Sequence, residues 1–361
     1  MPSPHLWLAL SPHGYGHAAM TAPVIAALRR RLPGLRLTVQ TSLPVEFLRG
    51  RYGAAAALVE GIPDFGLRMH SSTRVDRDAS AESYLALAAR WDELVAAEAD
   101  RLAAAAPDLV LANVPPLTLA AAARAGIPAV ALSSLNWADM VRIYLGDRPA
   151  LAPVLARLVA AYDSAELFLR VTPAMAMPAL ARVRDIGPVI LGGTARPDAL
   201  AAALRLASGE RVGLIAFGGI DADLDLARWP VLPGWRWLTT LAVPPGRADL
   251  LDWRAAGLSF SDLLTSVAAV VTKPGYGTFT EAGLAGVPVL YQPRPDWPEC
   301  PALDDWLAAH TRALAVDLTD PAPLADWLDL LLAQPARPPA VASGNDEAAA
   351  WLAARLEAGP G

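Results

Sequence analysis

Two of the five histidines in this 361-residue chain fall in one short stretch, Ser11-Pro12-His13-Gly14-Tyr15-Gly16-His17. The stretch follows an apolar run and precedes a helical pattern. Gly14 and Gly16 let the backbone turn tightly and approach a ligand, and a helix that starts here favours an anion at its N-terminus. A loop that only cradled phosphate would need no histidine. A histidine with its usual pKa of ~6.5 is mostly neutral at pH 7 and can take the proton of an acceptor hydroxyl. His17 is the first choice for that base and His13 the second, with Gly14, Tyr15 and Gly16 lining the acceptor side. The plainer alternative is a tight turn whose histidines bond the backbone.

A second loop, Lys273-Pro274-Gly275-Tyr276-Gly277-Thr278-Phe279-Thr280-Glu281, also lies between a strand-like run and a helical one. Its amides at Gly275, Tyr276 and Gly277 can face phosphates, with charge from Lys273 and a further bond from the Thr278 hydroxyl. Glu281, expected in the first helical turn, can accept bonds from a ribose diol. The plainer alternative makes Glu281 a residue that favours the positive helix end. The Gly-Lys-Ser/Thr order of a Walker loop is missing. Phe217-Gly218-Gly219-Ile220 ends another strand of the same half, so Gly218 and Gly219 join the set.

Asn113 and Asn136 each follow a strand-like run and point to the same crevice as the histidine loop; Asn113 could instead cap the next helix, and Trp137 be core. His13 and His17 are four apart, a spacing that can bind metal on a helix, but the glycines between them favour a loop and no third ligand is visible, so no metal site is expected. His5, His70 and His310 are scattered, and Arg29-Arg30-Arg31 reads as a solvated helix end.

The elements that must hold these residues alternate between strand-length apolar runs and helical patterns, the signal of a parallel sheet with crossover helices. Strands are expected at Leu6–Leu10, Leu35–Gln40, Asp108–Ala112 and Ala129–Leu132, and helices at about Ala19–Arg31, Tyr84–Ala106 and Leu117–Ala125. The pattern restarts with strands at Val212–Ala216, Trp237–Leu241, Ala268–Thr272 and Val287–Gln292, and helices at Phe260–Ser266 and Thr278–Ala285. The link falls between Asp185 and Glu210. Pro335–Gly344 reads as a connector and Asp346–Glu357 as a last helix that returns to the first half. The expected domains are 1–190, 191–340 and the helical tail 341–361.

The length suits two domains, and the 54% apolar content is ample for their cores. Its Ala, Arg and Pro richness suggests a GC-rich bacterial genome. A net charge of −6 argues against a nucleic-acid partner, and the single Cys300 excludes an intrachain disulfide and fits a reducing cytoplasm. No signal peptide is read at the N-terminus, and no apolar run reaches the roughly 20 residues of a spanning helix. Peripheral contact of an Ala-rich helix with a membrane stays open.

At these residues the chain resembles the GT-B glycosyltransferases of the family 28 type, and in particular the glycosyltransferase-like N-terminal region of plant L-arabinokinases. The resemblance runs over nearly the whole chain. It is carried by Gly14-Tyr15-Gly16-His17-Ala18, Val75-Asp76-Arg77, Ala79-Ser80, Pro107 to Val110 and Ala122 to Gly126. Phe168 to Arg170, Met177-Pro178-Ala179, Phe217-Gly218-Gly219 and Lys273 to Ala282 match as well. It implies an α/β fold of two Rossmann-like, doubly wound domains facing a cleft, with the acceptor on the N-terminal side and the nucleotide-sugar on the C-terminal side. The implied activity is an inverting, metal-independent hexosyl or pentosyl transfer from a UDP- or dTDP-linked sugar, a co-substrate, to a small-molecule or lipid acceptor. His17 matches the base of related transferases. Asn113 stands where the resemblance places a supporting aspartate; it can orient an imidazole but cannot offset its charge. Nothing in these residues reads as the sugar-kinase ATP loop of arabinokinase, so its kinase activity is not expected to carry over. A nucleotide-sugar hydrolase or epimerase, and a module that binds a nucleotide-sugar without turnover, are the alternatives.

Overall fold

A computed structural model describes residues 3–61, 64–71, 74–217 and 224–359. Gly218, Gly219 and Ile220 lie outside the described residues. The described residues divide into two compact units: 3–61, 64–70, 74–189 and 343–359 belong to the first, and 71, 190–217 and 224–342 to the second.

The first unit carries β1 (His5–Leu10), α1 (Gly16–Arg31), β2 (Arg36–Thr41), α2 (Val45–Tyr52), β3 (Ala57–Glu60), α3 (Arg77–Ala89), α4 (Trp91–Ala105) and β4 (Leu109–Asn113). It continues with α5 (Pro116–Ala125), β5 (Ala129–Ser133), α6 (Trp137–Leu145), α7 (Ala152–Asp163), β6 (Leu167–Val171) and β7 (Val183–Ile186). Its parallel sheet has the order β3-β2-β1-β4-β5-β6-β7. β1, β4 and β5 are buried along their whole length, because helices cover both faces of such a sheet; that is why they read as unbroken apolar runs.

The second unit carries α8 (Pro197–Leu204), β8 (Arg211–Ala216), β9 (Trp235–Thr239), β10 (Leu250–Asp252), α9 (Phe260–Ser266), β11 (Ala269–Thr272) and α10 (Tyr276–Ala285). β12 (Val289–Tyr291), α11 (Cys300–His310), β13 (Ala313–Ala315) and α12 (Leu324–Ala333) complete it. Its sheet, also parallel, has the order β10-β9-β8-β11-β12-β13. The last helix, α13 (Ser343–Glu357), belongs to the first unit and packs against α1, with Arg355 bonded to Glu166 at 2.8 Å. Among the described residues no helix is long and apolar enough to cross a membrane.

Several elements differ from expectation. The single helix expected over Tyr84–Ala106 is two, because Arg90 (φ −112°, ψ 9°) leaves the helical region and its guanidinium closes on Glu93 at 2.7 Å as α4 begins. α1 starts at Gly16 rather than Ala19, which puts His17 on the helix. α10 starts at Tyr276, because the extended Gly275 already ends the loop; Glu281 therefore sits in the second turn, not the first. The edge strands β3, β7, β10 and β13 are only three or four residues long and largely half-buried or exposed, so they lack the apolar run that marks their neighbours.

In β8, a Cβ on Gly213 would come within 2.2 Å of the Trp237 ring, which is fully buried in β9. Gly213→Ala is expected to lower stability by about 1–3 kcal/mol, since a packed indole cannot yield to an added methyl without strain. Urea unfolding measures it; a midpoint equal to wild type would mean that Trp237 moves aside freely.

Candidate functional site

In the first unit, β1 lies between β2 and β4, and the chain leaves it in opposite directions on its two sides. Open α/β sheets bind ligands beyond the strand ends at such a point. The histidine loop and Asn113 both sit there. Ser11 N donates to Asn113 O at 2.9 Å, which holds the two strand ends side by side. Gly14 (φ +78°) then turns the chain, a conformation that favours glycine, and α1 begins.

His17 lies in the first turn of α1 and is 7% exposed. That turn is braced by α2: Tyr52 Oη donates to Ala18 O at 3.1 Å and lies 2.7 Å from Thr21 Oγ1, which donates to His17 O at 3.0 Å. His17 Nδ1 is 2.6 Å from Asn113 Oδ1. Asn113 Nδ2 donates to Leu132 O at 2.5 Å and faces Met20 Sδ at 3.3 Å. A carbonyl can only accept, so the amide is turned with Oδ1 toward the imidazole. His17 must then carry its proton on Nδ1, which leaves Nε2 as the basic nitrogen. Asn113 does not cap the next helix; the residue before α5 is Pro115.

Burial pushes the His17 imidazole down to about 4, against an upward pull from the Asn113 bond. The ordinary value expected from sequence does not hold, because nothing charged replaces the lost water. The ring is neutral at pH 7, as a base must be, but it is a weak one.

A set of residues that sequence reasoning passed over surrounds this loop. Asp64 accepts from Ser11 Oγ, from Gly66 N at 3.3 Å and from Trp137 Nε1 at 3.3 Å. Trp137 Nε1 also donates to Ser11 Oγ at 3.0 Å. The fully buried Trp137 is thus core and more than core: its ring centroid is 5.3 Å from that of His13 and 5.9 Å from that of His17. Gly66 (φ +64°) lets the chain pass: a Cβ there would meet Trp137 at 2.6 Å and His13 at 3.0 Å. Asn136 is spent on structure, its Oδ1 accepting from Asp139 N at 2.8 Å to cap α6. Tyr15 stands 42% exposed with its ring 4.6 Å from that of Phe47.

In the second unit, Lys273 follows β11, whose end is tied to that of β8 by Thr272 Oγ1 donating to Ala216 O at 2.5 Å. No side chain caps α10 at Gly275, and first-turn amides are ready partners for an anion. Lys273, Gly275, Gly277 and Thr278 are half-buried here, and Tyr276 and Glu281 buried. Burial first, and then the nearby Arg294 cation, push the Lys273 amine down to about 8, while Cys300 and Glu299 pull it up. Arg294 is itself 6% exposed and stacks 3.9 Å above the Trp297 ring. This second cation was not among the sequence candidates; a lone arginine between two prolines after a short strand gives no signal of its own. Among the described residues no group of three or more His, Cys, Asp or Glu could hold a metal ion.

No family model matches the chain. It is 26% identical over 315 residues to L-arabinokinase of Arabidopsis thaliana, covering 84% of this chain and 30% of that protein. Less than a third of that relative's length is therefore represented. Among solved structures it is similar to the glycosyltransferase of kitacinnamycin, with a TM-score of 0.62 at 19% identity over 100% of this chain and 97% of that one. It is similar also to CalG4, the calicheamicin glycosyltransferase, with a TM-score of 0.61 at 18% identity over 100% and 96%. VinC, a glycosyltransferase solved with dTDP, follows at 0.53 and 18% over 99% and 96%. The chain has the α/β GT-B fold of these glycosyltransferases.

Proposed function

We propose that this chain is a nucleotide-sugar glycosyltransferase that inverts the anomeric centre without a metal. The observation that carries the reading is the His17–Asn113–Leu132 chain of hydrogen bonds, which presents Nε2 of a neutral imidazole as a base. In this reading Nε2 takes the proton of an acceptor hydroxyl as the oxygen attacks the anomeric carbon. The bond to the nucleoside diphosphate breaks with its electron pair leaving on the diphosphate oxygen. The first-turn amides of α10 and the Lys273 cation receive that charge, and fixed donors of this kind need no reorganisation during the reaction. Glu281 serves the ribose. The glycosyltransferase fold of the solved neighbours supports the class, and the dTDP bound to VinC supports the kind of donor.

The test is calorimetry with a panel of UDP- and dTDP-sugars, followed by assay of nucleotide release with and without hydroxyl acceptors. Acceptor-dependent release supports the reading. Binding without release under any acceptor would overturn it in favour of a binding module, and acceptor-independent release in favour of a hydrolase.

A pH dependence follows from Lys273. Its amine titrates near 8, so it is cationic below that value and loses its charge as pH rises through it. Donor affinity is expected to fall by about tenfold between pH 7 and 9.5, the scale of one lost charge-assisted contact. Lys273→Arg should hold its affinity over that range. A wild-type Kd that stays flat would remove Lys273 from the diphosphate site.

A further inference from the structure

We propose that Asp64 is a positioning residue for the histidine loop: through Ser11 and the Trp137 N–H, it seats the indole against both imidazoles. The inference rests on the reading of His17 as the base.

The geometry is as follows. Asp64 lies on the chain after β3, 53 residues from Ser11 and 73 from Trp137, yet its Oδ2 accepts from both. Its Oδ1 accepts from Gly66 N at 3.3 Å, and Phe65 N adds a further backbone bond. Burial pushes the Asp64 carboxyl above the usual carboxylate range, and the bonds from Ser11, Gly66, Trp137 and Phe65 pull it part of the way back. Tyr84 Oη donates to Gly66 O at 2.8 Å, so the turn that carries Asp64 is anchored from α3. Trp137 is held from the far side too: its N–H of the main chain donates to Tyr162 Oη at 3.1 Å, and Tyr162 Oη donates to Val114 O at 2.8 Å. The indole cannot turn away without breaking its own bonds to Ser11 and Asp64.

What the arrangement does follows from the chemistry of the step. When Nε2 takes a proton, the ring becomes an imidazolium in a site from which water is largely excluded. The His17 centroid is 5.9 Å from that of Trp137, at the edge of cation–π range. An indole whose N–H is bonded to a carboxylate is more electron-rich and a better partner for that cation. The groups that face this site are Asn113 from β4, Tyr52 from α2, Tyr84 from α3, Tyr162 from α7, His13 and Asp64 from the loops, and the Asp139–Arg142 pair at 2.6 Å on α6. Of these, Asp64 is the carboxylate tied to the indole.

The experiment compares Asp64→Asn and Trp137→Phe with wild type by NMR titration of the histidine rings, which needs no substrate, and by kcat and donor KM. Both variants keep the size of the side chain or an aromatic ring while removing the carboxyl acceptor or the N–H. Expected are a His17 pKa lower by about half a unit or more, and a kcat lower by about tenfold with donor KM within twofold. Asp64→Glu, which keeps a carboxyl acceptor for Ser11 and the indole, should recover most of the pKa. If either variant fails to fold, Ser11→Ala, which deletes the hydroxyl between Asp64 and the indole, should shift the His17 pKa in the same direction. An unmoved His17 titration in folded Asp64→Asn would overturn the proposal and leave Asp64 a structural residue. Loss of the His17 role itself would show differently, as full turnover in His17→Ala.

Discussion

His17→Ala is expected to lower turnover by roughly 100-fold or more while donor affinity stays within about twofold, because a removed general base costs the chemical step and not the binding of a donor held by other residues. The structure gives three reasons to choose this histidine. Its Nδ1 is committed to Asn113 at 2.6 Å, so the basic lone pair has one place to be. Its backbone is braced through Thr21 and Tyr52, so the ring is held in place before any ligand arrives. Burial keeps it neutral at every pH above about 4. An acid limb in kcat/KM is therefore expected near pH 4 rather than near the ordinary histidine value of ~6.5. His13 provides the control. It packs on the same indole, so His13→Ala tests whether the loop or the base matters. Full activity in His17→Ala with loss in His13→Ala would assign the base to the other histidine. Full activity in both would make the loop structural.

Asn113→Asp is expected to raise the His17 pKa by about two units and, at the same time, to destabilise the fold by roughly 1–3 kcal/mol. By resemblance alone, an aspartate here restores a charged partner for the imidazole and does no harm. The surroundings of Asn113 change that expectation. Its Nδ2 donates to Leu132 O at 2.5 Å, and a carboxylate oxygen in its place would set two acceptors against each other in a fully buried position. The side chain then has two ways out. It can take a proton and donate to Leu132 O, or stay ionised, paired with a protonated His17, and strain the contact. The aspartate and His17 would titrate as a coupled pair. The acid limb of kcat/KM should move upward from near 4, and the urea midpoint at pH 7 should fall. A limb that stays near 4 together with an unchanged midpoint would show that the Leu132 carbonyl does not fix the amide.

The readable part of the fold was the part with the simplest physics. β1, β4, β5, β8 and β11 lie inside parallel sheets covered on both faces, so each reads as a short run of apolar residues followed by a turn and a helix. That periodicity is enough to place His17 after β1, Asn113 at the end of β4 and Lys273 after β11. It fails where burial is partial. The edge strands carry charged or exposed residues such as Arg184 and Asp185, and Arg90 interrupts a helical pattern that reads as continuous through it.

By itself, then, the sequence determined the α/β class, the restart of the strand–helix pattern, and the glycine-rich turns that bring histidines or a lysine to strand ends. These follow from short-range rules, in which residue type and spacing act within one element. The tertiary structure alone decided which nitrogen of His17 is basic and how weak that base is, because both depend on the Leu132 carbonyl and on burial by distant helices. It alone brought Asp64 to Ser11 and Trp137, and Arg294 close enough to Lys273 to lower its pKa. Hydrogen bonds and charges act through space over a few ångströms, and the residues they join here are 19 to 96 positions apart in the chain.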